Sequence, residues 1–479
     1  MDTENLKVSF FPPLHHQRRI WVLDTLRRER ITEIVDIGCG EGGLLAALCQ
    51  PAPWLGPRSH WRNRLSARDA DEGLISLFDN VLLNDSETPD LHPVRIAGLD
   101  ISTKALQSAA ELTSPSSENA LYTRWEPLEV NLWHGSLDSI NPAFVDTECI
   151  VASEVIEHLT DDLVAQFAPV LLGVYHPRTF LMTTPSYTFN ARFSPPGFSD
   201  PVGHLDPTGR TNRVFRHSDH KFEWTTEEFA RWCATVSKEW GYTVEVGSVG
   251  AAMEDDPWGR DKQLGGATQV AAFRRKDDSN SKRKRERRVR MMYDGTEQKE
   301  SHRLVITYHF AAHPQAGHPR GPEDIRAAVV RTFEDWGECV LRVEDLWFSK
   351  DIGLICGGSI ELLIEITERD ARLRLQRVPG QRKGNWTVEL IGGVQQRRDG
   401  WSTTRKPYEE IEEASMEEEE EENEVAHYTL DTDMGTSTYD GAIVWGNETG
   451  GLAQDETACD CWARSWGNGG GWTSEPVWN

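Results

Sequence analysis

Along the chain, apolar positions gather into short strand-like runs separated by stretches with helical spacing. Ile34–Ile37 is a short apolar run that ends in a glycine-rich turn, and Gly43–Leu48 then reads as the start of a helix. A helical pattern around Asp69–Leu83 precedes a second strand at Val94–Asp100. A helix at Thr103–Leu112, a strand at Cys149–Ser153, a helix opening near Glu157 and a strand at Thr179–Thr183 follow. Strand and helix alternating in this order predict an α/β fold with a parallel, doubly wound sheet. Ligands of such a sheet sit at the carboxyl ends of its strands.

The pattern changes after residue 276. Arg274–Arg290 is strongly basic and includes SKRKRERRVR, which reads as a solvated linker, a nuclear localisation signal or a strip that contacts RNA. From 302 onward, LVITYHF and IELLIEITE read as strands, Pro322–Trp336 as a helix, and DARLRLQRV as an alternating strand carrying three arginines. These elements predict an appended α+β module of no recognisable family. The expected division is therefore 1–276, a basic linker at 277–301, a module at 302–407 and a tail at 408–479.

Charge sharpens that division. The 479 residues carry a net charge of -26, yet Tyr408–Asn479 holds nineteen acidic residues and one basic residue, so -18 belongs to the tail and -8 to everything before it. Whole-chain acidity would argue against a nucleic-acid partner, because phosphate contacts need clustered positive charge. Confined to the tail, it does not. Glu409–Glu424 has eleven acids and no base, a composition expected to stay extended and disordered. No apolar run approaches the roughly 18 residues of a membrane span. The polar start MDTENLKVSF lacks the order of a signal peptide, so a soluble, cytoplasmic protein is expected, with the basic run as a route to the nucleus. Eight scattered cysteines make no disulfide framework, and the Cys459/Cys461 pair has no second pair to complete a zinc site.

The candidate chemistry lies at the strand ends. In VDIGCGEGG, Val35 to Gly43, glycines 38, 40 and 42 let backbone pass close to a ligand, and Asp36 favours an amine-bearing ligand over a pyrophosphate. The second strand ends in GLDIS, where Asp100 is placed to accept hydrogen bonds from a ribose diol. The third ends in SEVIEHL, which sets Glu154, Glu157 and His158 within one turn. Such a cluster is costly to bury uncompensated, so a metal or cationic partner is expected; acids that favour a helix N-terminus are the plainer explanation. FRHSDHKFEW adds His217 and His220. A site of two carboxylates and two imidazoles is richer in nitrogen than an ordinary magnesium site, which makes Mn²⁺ a candidate beside Mg²⁺.

The glycine turn and Asp100 together resemble the Rossmann-type, class I S-adenosylmethionine-dependent methyltransferases. In that family a small polar segment after the next strand cradles adenine, which implies a cofactor role for Ser136 in Gly135-Ser136-Leu137. With FFPPLHHQR (Phe10–Arg18), TTPSYTFN (Thr183–Asn190) and DHKFEWTTEEF (Asp219–Phe229), residues 8–275 resemble the small RNA 2′-O-methyltransferases, which act on the 3′-terminal ribose. The resemblance implies that Asp36, Gly38, Gly40, Asp100 and Ser136 bind S-adenosylmethionine, and that Glu154, Glu157, His158 and His220 ligate Mg²⁺ or Mn²⁺. It further implies that Pro13, Gln17 and Arg18, joined here by Arg216, hold the RNA end. His158 or a neighbouring imidazole is the expected proton acceptor, and His217 a supporting or phosphate-facing group. The motifs begin at residue 10 with no duplex-binding region ahead of them, so a single-stranded 3′ end is the expected substrate. In the tail, Trp445-Gly446, Trp466-Gly467 and Gly471-Trp472 resemble Argonaute-binding hooks, which implies an Argonaute-family partner. Two rival readings are a small-molecule O-methyltransferase and a catalytically inactive silencing adaptor.

Overall fold

The sheet that the apolar runs predict is present, and it carries more strands than they suggest. The computed structural model describes residues 6–56, 90–115, 123–197, 203–293, 302–349, 351–378 and 380–394. The expected helix around Asp69–Leu83, the Cys459/Cys461 pair and the acidic, tryptophan-containing tail lie outside the described residues. Helix α1 (Leu14–Arg28) leads into β1 (Glu33–Ile37), α2 (Gly43–Leu48), β2 (Arg95–Asp100), α3 (Thr103–Leu112), β3 (Leu128–His134) and β4 (Cys149–Ser153). Then come α4 (Asp161–Ala168), β5 (Thr179–Pro185), α5 (Thr226–Trp240), β6 (Tyr242–Val249), β7 (Thr268–Arg275), α6 (Ser279–Tyr293) and β8 (Arg303–Phe310).

These form one eight-stranded sheet in the order β8-β3-β2-β1-β4-β5-β7-β6. The five central strands are mutually parallel, while β7, β6 and β8 run antiparallel to their neighbours. The expected parallel core is therefore present, with antiparallel strands added at both of its edges. Strand alternation places successive side chains on opposite faces. Val35, Ile37, Ile150, Ala152, Phe180 and Met182 pack into one buried layer with Phe167, Phe229 and Trp240. Ile34, Cys149, Val151 and Leu181 pack into the other with Val22, Leu26, Leu45 and Leu106. Both layers exclude water from the sheet, and the chain reversals at the carboxyl ends of β1, β2, β4 and β5 are left to form a site.

Three expectations are corrected. The basic stretch expected as a linker is largely helical: in α6 the Arg285 side chain is buried and donates to the Trp240 carbonyl at 3.0 Å, and Arg288 pairs with Glu239. LVITYHF is a strand as expected, but it does not belong to a separate module. As β8 it pairs with β3, from Arg303 opposite His134 to Phe310 opposite Leu128. IELLIEITE is a helix, α9 below, rather than a strand. Its apolar residues alternate in a way that mimics a strand, yet Ile360, Leu362, Leu363, Ile364 and Ile366 are all buried, and Ser359 caps the first turn by accepting from Leu362 N–H at 3.3 Å.

The rest of the appended segment is α7 (Pro322–Trp336), β9 (Val340–Arg342), α8 (Val343–Phe348), α9 (Ile360–Arg369), β10 (Leu373–Gln376) and β11 (Thr387–Leu390), the strands forming a three-stranded sheet in the order β9-β11-β10. Its core includes Leu55 and Trp125 from the first half of the chain. The Trp125 and Trp347 indole N–H groups both donate to the Pro53 carbonyl, each at 2.9 Å. No described helix is long and apolar enough to cross a membrane. A chain ending at residue 301 would open the β3 edge and uncover Leu55 and Trp125. Each such buried side chain stabilises by about 1.5–3 kcal/mol, and unpaired strand edges promote aggregation. Residues 1–301 alone are therefore expected to melt well below the full chain or to precipitate, as thermal unfolding and light scattering would report.

Candidate metal and cofactor site

The acid and imidazole residues are gathered by two sharp turns. Strand β4 stops at Ser153, and Glu154 takes a left-handed conformation (φ 56°), strained for a residue with a side chain. Its N–H donates to the Thr183 carbonyl on the neighbouring β5 at 3.0 Å. The chain then enters a single 3₁₀ turn, Ile156–His158, where a longer helix was expected. Glu157 is consequently fully buried: one carboxylate oxygen accepts from Thr184 Oγ1 at 3.0 Å, and the other, Oε1, has no hydrogen-bond partner. Burial, reinforced by the neighbouring Glu154 carboxylate, raises the Glu157 pKa well above the ordinary value.

His220 approaches from the segment before α5, which is fixed to this turn by Lys221 N–H donating to the Glu157 carbonyl at 2.7 Å. The His158 and His220 rings lie 5.0 Å apart, and His217 stacks on His220 at 5.1 Å. Burial and the adjacent His220 lower the His158 pKa, which favours the neutral ring. Glu157, His158 and His220 each bring a ligand atom within 4.8 Å of the other two. The unpartnered Glu157 oxygen is the telling atom, because a buried acceptor left unmade costs about 1–3 kcal/mol, more when charged. A carboxylate and two imidazoles suit a divalent cation, which would supply the missing partner. Glu154, expected as a further ligand, is not brought into this group. Its carboxylate pairs with Arg18 at 3.0 Å and accepts from Thr183 Oγ1 at 2.8 Å.

The glycine turn lies against the same corner. Gly38 has φ 70°, and a Cβ there would sit 2.7 Å from Val155 Cγ2, so glycine is what lets this turn pack against the residue between Glu154 and Glu157. Asp100 accepts from Gly40 N–H and Ser102 N–H, both at 2.8 Å. The carboxylate that was expected to meet a ribose diol thus also fastens the turn to β2, and its oxygens retain lone pairs for further donors. Asp36 is buried beneath the turn, its pKa pushed up to about 8 by desolvation and then by Asp100, with Arg19 opposing. The Gly135 N–H donates to the Asp100 carbonyl at 3.1 Å, which brings the Gly135-Ser136 segment beside β2. The Ser136 carbonyl accepts from His302 Nε2 at 2.8 Å, and a Cβ on Gly135 would collide with that ring.

The residues expected to hold RNA are placed differently from one another. Arg18 touches the acidic corner, bridging Glu154 and Thr268 Oγ1. Pro13 precedes α1, and its carbonyl accepts from His16 and Gln17 N–H. Gln17 is committed to backbone: its amide donates to the Pro12 carbonyl at 2.8 Å and accepts from Gly250 N–H at 3.2 Å. Arg216 lies with its guanidinium 3.6 Å over the Phe193 ring. The sequence reading passed over Thr183, Thr184, Asn190 and Glu223. All four lie in motifs that it singled out, but a hydroxyl, an amide or an acid near a helix start carries no spacing that marks it.

Asp36 yields a pH prediction. Its folded pKa lies above its unfolded value, so its contribution to stability is full below pH 4 and is lost as pH rises toward about 8. The slope reaches at most about 1.4 kcal/mol per pH unit. The D36N variant removes that slope, so its melting temperature relative to the unsubstituted chain should be higher at pH 8 than at pH 5; a pH-independent difference would contradict it.

No protein-family profile matches the chain. It is 29% identical over 279 residues to a small RNA 2′-O-methyltransferase of Arabidopsis thaliana, a match covering 58% of this chain and 24% of that one. It is 28% identical to the protein of the same name in Xenopus tropicalis over 271 residues, covering 56% and 57%. The Schizosaccharomyces pombe counterpart is 28% identical over 275 residues, covering 55% and 61%. The chain therefore spans between a quarter and three fifths of the length of these relatives. A solved small RNA methyltransferase superposes with a TM-score of 0.40 at 24% identity, covering 65% of this chain and 30% of that one. Across more than half its length this chain is similar in sequence to the small RNA 2′-O-methyltransferases.

Proposed function

We propose that this chain transfers a methyl group from S-adenosylmethionine to the 2′-hydroxyl of the 3′-terminal nucleotide of a small RNA, protecting that end. The observation that carries the reading is the buried Glu157 carboxylate with one open oxygen, set with His158 and His220 against the glycine turn. A small-molecule O-methyltransferase shares the turn but gives no reason for that corner. An inactive adaptor gives no reason to keep a buried acid short of a partner.

In this reading each residue has a distinct task. Asp36 faces the cofactor's ammonium group, which would restore its charge. Asp100 accepts from the ribose diol while keeping Gly40 in place, and the Ser136 segment borders the adenine. Glu157, His158 and His220 hold a divalent cation, Mg²⁺ or Mn²⁺, and Glu154 joins them if its carboxylate leaves Arg18. Once bound, the cation would supply charge that acidifies a ribose hydroxyl and fixes a vicinal diol. His158 brings one ring nitrogen to this group, and its lowered pKa favours the neutral ring, so it or a neighbouring imidazole is the proton acceptor in this reading. Arg18, released from Glu154, is the cation nearest to an incoming phosphate; Arg216 is the next, and Pro13 and Gln17 act by shaping the start of α1. An Argonaute-family partner engaged through Trp445, Trp466 and Trp472, and a cytoplasmic or nuclear setting, extend the proposal to residues outside those described. A pull-down with all three changed to Ala would lose the partner if they serve as hooks.

Periodate oxidation followed by β-elimination tests the central reading, since a 2′-O-methylated end resists cleavage. Unmodified small RNA should become resistant, whereas RNA ending in 2′-deoxy or 3′-phosphate should not accept methyl; turnover of either would refute the diol requirement. E157A and H220A should each lose more than about 100-fold in rate, beyond the 10–100-fold typical of losing a residue that only supports a ligand. Chelator should abolish activity, and Mn²⁺ or Mg²⁺ should restore it.

A further inference from the structure

We infer that Glu223 is a positioning residue for His220, setting the tautomer and ring orientation in which His220 offers Nε2 to a divalent cation. The inference rests on the metal reading above and extends it to a residue outside the ligand group. Glu223 lies three positions after His220 and is 2% exposed. One of its oxygens meets His220 Nδ1 at 2.7 Å, and the other accepts from Asn190 Nδ2 at 2.7 Å. Both oxygens are thus used within the protein, unlike those of Glu157, one of which is open.

The chemistry of that contact fixes the ring. An ionised carboxylate only accepts, so the proton of a neutral His220 sits on Nδ1, and Nε2 keeps its lone pair. A carboxylate behind a metal-binding imidazole also makes it a stronger donor.

Glu223 is itself held from two sides. Asn190 belongs to the 3₁₀ turn Thr188–Phe193 that follows β5. Arg213 donates to the Glu223 carbonyl at 2.9 Å while gripping both oxygens of Glu228 at 2.8 Å and lying 4.6 Å over the Tyr187 ring. Glu228 in turn closes the capping box that starts α5. One imidazole is therefore referenced to β5 and α5 through a single carboxylate. A buried ion pair that merely secured the loop would not need to hold the ring of a residue grouped with Glu157 and His158.

The two roles separate in a binding measurement on the full chain stripped of metal. Mn²⁺ is titrated and the free ion read by electron paramagnetic resonance, with S-adenosylhomocysteine affinity measured by calorimetry on the same samples. E223A should weaken Mn²⁺ binding by about 10–100-fold. E223Q, which keeps an acceptor for the Nδ1 proton, should weaken it less, and S-adenosylhomocysteine should bind all three proteins alike. Unchanged Mn²⁺ affinity in E223A overturns the inference. So does parallel loss of both ligands, which would mark Glu223 as a general support of the fold. If the unsubstituted chain binds no Mn²⁺, the metal reading itself fails, whatever the variants do.

Discussion

A carboxylate taken entirely out of water must be neutralised, hydrogen-bonded or given a cation, because its desolvation costs several kcal/mol that nothing apolar returns. Glu157 is placed under that constraint by its backbone. The left-handed turn at Glu154 and the 3₁₀ turn after it drive the Glu157 side chain inward at the end of β4, where Thr184 satisfies one oxygen and leaves the other open. Most of the neighbouring detail accommodates this acid. Lys221 N–H ties the next segment to the Glu157 carbonyl, and that segment delivers His220. A single strand end, Thr183-Thr184 of β5, serves both acids, one hydroxyl to each.

The sheet order explains why two sites of different chemistry meet. Because β1 lies between β2 and β4, the turns that leave β1 and β4 are neighbours, and Gly38 allows them to touch through Val155. Asp36 and Glu157 then stand on either side of that contact, each buried and each with a raised pKa. Two acids kept from full ionisation at one corner are a standing cost to stability. Ligands carrying an ammonium group and a divalent charge would relieve both, which couples binding to the stability of the empty protein.

How much of this was legible in the sequence depended on the range over which each signal acts. VDIGCGEGG and SEVIEHL could be read because their chemistry sits within one turn of chain, and GLDIS because a strand end fixes where Asp100 falls. Glu223 could not, since an acid shortly before the helix at Thr226 has an ordinary explanation in the helix dipole. Its role appears only when Asn190 and His220 are seen on its two oxygens. Glu154 was read as a partner of Glu157, but its pairing with Arg18 spans more than a hundred residues and leaves no local trace. In IELLIEITE the error came from period: the alternating Ile360, Leu362, Ile364 and Ile366 were read as a strand, whereas Glu361, Glu365 and Glu368 recur at helical spacing and, with the Ser359 cap, mark the helix.

The same limit of range hid the role of the appended segment, which composition set apart. An edge strand states its propensity but not its partner, and the partner of β8 is β3 of the eight-stranded sheet. That pairing carries His302 to the back of the Gly135-Ser136 loop, where its ring fills the space that glycine leaves and its Nε2 engages the Ser136 carbonyl. The remainder of the segment shares a core with Leu55 and Trp125 and adds an ion pair from Arg382 to Asp90 just ahead of β2. The loop after β3 is therefore bounded on one side by a residue from beyond position 300. The -26 charge fits the same division along the sequence, since its largest share belongs to residues past this segment.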